Sequence, residues 1–127
     1  MKYNFALLCD NAFIPSQGGK PNFTGVFGGI TASLAPAVQK DLYIVFNFSP
    51  EDVELHKLVI SIKSPSKGEI YTYEVKLGPA ISKNEALGHI LRVSNLKLEE
   101  IGVHSIDFLI DGNLLHTLDF NFSVNKK

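Results

Sequence analysis

The stretch that most constrains this chain runs from Val103 to Val124. Val-His-Ser-Ile-Asp-Phe-Leu-Ile leads into Asp111-Gly112-Asn113, and Leu-Leu-His-Thr-Leu-Asp-Phe-Asn-Phe-Ser-Val leads out. Two alternating runs around an Asp-Gly signal predict a β-hairpin. Strand side chains alternate faces, so parity fixes the pairing. His104, Ile106, Phe108 and Ile110 are even-numbered, as are Leu114, His116, Leu118, Phe120, Phe122 and Val124. Both sets share one face only if opposed residues have numbers of even sum. A two-residue loop gives an odd sum and would bury Thr117 and Asp119. The expectation is therefore a three-residue loop, Asp111-Gly112-Asn113, or a five-residue loop in the same register. Ile106 then faces Leu118, and Phe108 faces His116.

The remaining chain offers more strands for this face to pack against. Tyr3 to Ile14 alternates, with Tyr3, Phe5, Leu7, Cys9 and Phe13 on one face and Ala6, Leu8, Ala12 and Ile14 on the other. Pro15 to Pro21 is a turn. Asn22 to Ala32 holds three glycines among β-branched and aromatic residues, which predicts a bent strand. Ala35-Pro36-Ala37 links elements. Leu42, Ile44, Phe46 and Phe48 point inward on a third strand, whose other face carries Tyr43 and Val45 and is not fully wet. Ser49-Pro50-Glu51-Asp52 has a helix-start pattern with room for one turn at most. Leu58 to Lys63 and Tyr71 to Leu77 form a second hairpin around Ser64-Pro65-Ser66-Lys67-Gly68. Ser82 to Glu85 fits a capping box for a short helix or loop. His89, Leu91 and Val93 share a strand face, and Leu96, Leu98 and Ile101 carry the chain over an edge. About eight strands, with one or two short helical turns at most, predict an all-β antiparallel sandwich or barrel.

Composition decides between function classes. The 127 residues suit a single domain, residues 1–127, able to bury a real core. Twelve Lys and Arg against thirteen Asp and Glu leave a net charge of −1, so no basic footprint for nucleic acid or membrane is expected. One cysteine excludes an intrachain disulfide. The opening Met1-Lys2 and Phe5-Ala6-Leu7-Leu8-Cys9 superficially resemble a lipoprotein signal. The apolar run is too short, and Leu8 is too bulky for the cleavage position. A cytoplasmic protein without membrane spans is expected.

No constellation of catalytic residues emerges. His56, His89, His104 and His116 fall one per strand with no motif between them, so a structural role is expected, including for inward-facing His104 and His116. Cys9 lies beside Asp10, whose charge opposes thiolate formation, and reads as a buried structural thiol. Thr24-Gly25-Val26-Phe27-Gly28-Gly29 lacks the Gly-Lys-Ser/Thr ending of a phosphate loop. Asp41, Glu51-Asp52-Glu54 and Glu99-Glu100 are the acids that could bind calcium, but read as a solvated rim. Tyr71 and Tyr73 look like core or half-core. Phe13, Phe23 and Phe27 could form an exposed apolar patch, the mark of a protein interface. No catalytic, cofactor-binding or metal residue and no cofactor is assigned.

Three stretches together resemble a family of small uncharacterised bacterial proteins. They are Ala6-Leu7-Leu8-Cys9-Asp10, Asn22-Phe23-Thr24-Gly25-Val26-Phe27 and Pro36-Ala37-Val38. The chain from Gly102 through Asp111-Gly112 to Phe122 is also similar, although Ile101-Gly102-Val103-His104 replaces the family's Pro-Gly-Glu-Tyr entry. The resemblance implies an immunoglobulin-like β-sandwich and no assigned activity. The expected function is a non-enzymatic binding or interaction module, acting through loops or a sheet edge on a protein partner or a second copy. The alternative is a small-ligand or carbohydrate-binding sandwich, and a third reading is an enzyme using Asp10, Cys9 or the histidines.

Overall fold

Every segment that alternates in sequence becomes a strand, because each offers an apolar face that only a second sheet can cover. The computed structural model describes residues 1–13, 22–52, 54–77 and 87–125, the side chains of 87 and 88 excepted. Among the described residues there are nine strands: β1 (Lys2–Phe13), β2 (Asn22–Phe27), β3 (Gly29–Ala32), β4 (Ala37–Ser49), β5 (His56–Ser64), β6 (Gly68–Leu77), β7 (Leu87–Leu98), β8 (Gly102–Ile110) and β9 (Asn113–Val124). They form a four-stranded sheet, β2-β1-β4-β7, and a five-stranded sheet, β3-β9-β8-β5-β6. The two share one core. Leu8, Ile44, Phe46 and Phe48 from the first meet Ile60, Phe108, Phe120 and Phe122 from the second. Phe46 and Phe48 lie 5.7 and 5.8 Å from the Phe108 ring centroid. Each such buried side chain contributes roughly 1.5–3 kcal/mol of transfer free energy.

The hairpin register is as expected over most of its length: Ile106 faces Leu118 and Phe108 faces His116. The loop differs. Leu109 faces Leu114 and Ile110 faces Asn113, so the turn has two residues, Asp111 and Gly112. Both have positive φ, 51° and 86°, the type I′ geometry that suits strand twist. A bulge between Phe108 and Leu109 reconciles this turn with the even register. Leu115 is the extra residue and packs on the core, while Leu114, expected inward, is 60% exposed. The turn is tied to β5: Asp111 N–H donates to the Lys57 carbonyl, and Lys57 N–H donates to Asp111 Oδ1, both at 2.9 Å.

Four other expectations need correction. The bent strand is two strands, because Gly28 ends β2 in one sheet and β3 starts in the other. β3 pairs with β9 in parallel, Gly29 to Asn121 through Ala32 to Val124, so the fold is not wholly antiparallel. In β1 a bulge between Tyr3 and Phe5 shifts Tyr3 onto the core side, where it stacks on His116 at 3.8 Å. β7 runs unbroken to Leu98 and pairs with β4 as far as Ala37, so Leu96 and Leu98 are core residues of a strand. No helix occurs among the described residues. At the Ser49-Pro50 start, Asp52 serves Glu54 N–H and His56 instead of a helix. The capping box at 82–85 lies outside the described residues. β4 meets its expectation: Leu42, Ile44, Phe46 and Phe48 are buried, and Val45 on the other face is buried with Cys9.

Candidate functional sites

His56 opens β5 and is held from both sides. Its Nδ1 lies 2.6 Å from Asp111 Oδ2, and its Nε2 lies 2.7 Å from Asp52 Oδ1. A carboxylate oxygen only accepts, so both contacts are satisfied together when the two ring nitrogens donate, in the imidazolium form. The hydrogen bond to Asp111, then that to Asp52, raises the His56 pKa above its ordinary value. The same bonds lower both carboxylates, with added help from Glu54 N–H at Asp52 and Lys57 N–H at Asp111. Neither ring nitrogen keeps a free lone pair, so the arrangement is a clasp between the β4–β5 loop and the β8–β9 turn.

The other histidines do not join it. His104 is fully buried, stacks on Phe120 at 5.0 Å, and donates from Nδ1 to the Gly102 carbonyl, while Nε2 has no partner among the described residues. His116 lies between Tyr3 and Phe108. His89 packs on Phe46, and burial lowers its pKa. Cys9 is fully buried on the opposite face of its sheet, with Val45, Ala12, Leu7, Tyr43 and Ile90. Its thiol pKa is raised by burial first, with Asp10 adding to the rise and a backbone bond at Asn11 opposing it. The structure therefore does not bring Cys9 and the histidines together.

Most of the candidate acids are engaged within the chain. Asp41 pairs with Arg92 at 2.9 Å, and Glu51 accepts from the Met1 amino group at 2.7 Å. Glu99 pairs with Lys67 at 2.9 Å and Lys97 at 3.2 Å. Glu100 accepts from Ser66 and from the Ser66 and Lys67 amides, which brings its pKa down to about 2. Among the described residues no group of three His, Cys, Asp or Glu side chains is placed to hold a metal ion. Among the described residues there is no helix long and apolar enough to cross a membrane.

The sheet edges differ in how they are protected. β6 carries Glu69, Glu74 and Lys76, and β7 carries Arg92 and Lys97, charges that discourage strand addition. β3 is only four residues long. β2 is six residues without a charge, and among the described strands none pairs with its outer side. Val26 on it is 59% exposed and Phe23 37%, beside Phe13 at 54% on β1. Of the three aromatic residues expected at an exposed patch, Phe13 and Phe23 are outside, while Phe27 packs on the core. Tyr71 is half-buried against the core and Tyr73 is exposed. Alternation in the sequence could flag these residues but not that β2 is an edge, which depends on long-range pairing.

Beside β2, where the chain crosses to β3, lies an open cleft of about 290 Å³ lined by Asp10, Val26, Phe27, Ile30, Thr31 and Gln39. Gly25 has φ +71°, and a Cβ there would come within 2.4 Å of Asp10 Oδ2, so the strand is shaped around that carboxylate.

A protein-family model described as a family of unknown function, DUF6941, matches residues 4–123, nearly the whole chain. No curated protein matches.

Proposed function

The chain belongs to that family, and from this premise we propose that it is a non-enzymatic interaction module whose β2 edge receives an extended segment of a protein partner. One observation carries the reading: among the described strands β2 is the longer of the two uncharged edges, with Val26 and Phe23 exposed along it. An unprotected edge offers unpaired backbone groups that another strand satisfies. Alternate side chains then give specificity. In the finer reading of the fold, the two sheets make an immunoglobulin-like sandwich. Support comes from the shared core and the alternation of inward and outward residues on β4, β5 and β8.

The test compares the wild-type chain with Val26→Lys in quantitative pull-downs from the native cell and in native mass spectrometry. A charge on the edge opposes strand addition without touching the core. A companion chain, or a second copy, should be held by wild type and lost at least tenfold in the variant. Equal recovery with both, or a monomer without companions, would overturn the reading.

A further inference from the structure

The cleft beside β2 has a chemistry of its own. Three described clefts each contain an acid: Asp10 here, Asp111 near the turn, and Glu99 between β6 and β7. Asp111 is held by His56, and Glu99 by two lysines. Among the described residues Asp10 makes no ion pair, and no described Lys, Arg or His lines its cleft. Two other side chains there add acceptor oxygens. Gln39 donates one amide N–H to the Asp41 carbonyl, and its amide oxygen is a further acceptor. The Thr31 hydroxyl is shared with Ser123 and keeps lone-pair capacity. Val26, Phe27 and Ile30 supply apolar wall. A site of oxygen acceptors with an aliphatic wall complements a group with three donors, no acceptor and an alkyl stem, which describes a lysine side chain.

We propose that the Asp10 cleft receives a lysine side chain from the segment that adds to β2, with the ammonium on the Asp10 carboxylate and the stem along Val26 and Ile30. The source of the lysine rests on the edge reading above; the chemistry of the cleft does not. Gly25 is part of the site, because any side chain there would displace the Asp10 carboxylate.

The test uses a probe too short to form a strand, Nα-acetyl-lysine-N-methylamide, titrated into the labelled full chain and followed by amide NMR. Nα-acetyl-norleucine-N-methylamide is the uncharged control. Saturable shifts centred on Asp10, Gly25, Val26 and Thr31 are expected, with a dissociation constant of about 1–10 mM, the range of a single contact group. Asp10→Asn should weaken binding at least tenfold, and Gln39→Met several-fold, with melting curves unchanged. Raised salt should weaken it further. No saturable shift, an equal response to norleucine, or unchanged binding by Asp10→Asn would overturn the proposal. Any of these results would leave the Val26→Lys comparison standing, so the two readings fail separately.

Discussion

Alanine substitution at two adjacent leucines tests the β9 bulge. Leu114 and Leu115 are chemically identical, and a continuous three-residue-loop register would point Leu114 into the core. The bulge reverses this: Leu114 is 60% exposed and Leu115 packs against the core. Leu→Ala removes three carbons, each worth about 0.8 kcal/mol when fully buried. For Leu115, mostly but not wholly covered, the transfer loss is about 2 kcal/mol, to which incomplete collapse of the site adds. For Leu114, less than half covered and at the surface, the loss is below about 1 kcal/mol, and no cavity forms. Urea denaturation reads both from the midpoint at constant slope. Leu115→Ala should be the less stable variant by at least about 1 kcal/mol. Equal losses, or a larger loss for Leu114→Ala, would refute the bulge and restore the continuous register.

The His56 clasp makes stability depend on pH. Its folded pKa is raised, so its contribution is complete below the unfolded value near 6.5 and is lost as pH rises through the folded value. The lowered Asp52 and Asp111 act oppositely: their contribution is present above about pH 4 and is lost as pH falls through their folded values. Ring-proton NMR should give a His56 midpoint above 6.5 that falls in Asp111→Asn; a wild-type midpoint at or below 6.5 would contradict the clasp. Gly25→Ala should cost about 1–3 kcal/mol, combining positive φ with the contact on Asp10. In an Asp10→Gly background, which also removes the Asp10 Cβ 3.0 Å away, only the backbone part, about 1 kcal/mol, should remain, and additive losses in the double-mutant cycle would show that the Asp10 side chain does not touch Gly25. Cys9 should resist alkylation in the native state, because the thiol is buried and its pKa is raised, and label only on unfolding; rapid native labelling would place it elsewhere.

Much of the fold was legible because alternation is a local signal. Leu42 to Phe48, Leu58 to Ile62, and Ile106 with Phe108 point where parity puts them, since each lies on a strand covered on one face by the core. Parity failed where a bulge inserts a residue, at Tyr3 and at Leu114, because alternation assumes an unbroken ladder. The Asp-Gly turn itself was legible, but it competed with register, and the structure satisfies both through Leu115. The division of β2 from β3 was foreshadowed by the glycines, though not that the strand changes sheet and then pairs in parallel. Of the sites, the His56 clasp could have been suspected from Asp52 and His56 four residues apart. Asp111 reaches it only through the pairing of β5 with β8, a contact spanning 55 residues that no local pattern announces. Asp10 was visible as a residue, but its lack of an ion pair among the described residues is a property of the folded surface.

The central claim is that β2 is used as an edge and is not merely exposed. Val26 and Val103 separate these possibilities, since they are 59% and 57% exposed. Val26 lies on an outer strand, while Val103 lies on β8 between β5 and β9. Photo-crosslinking in the native cell, with p-benzoyl-phenylalanine in place of Val26 or of Val103, is the most direct measurement. A discrete adduct from position 26 and none from position 103 are expected. No adduct at 26, or equal adducts at both positions, would contradict the claim.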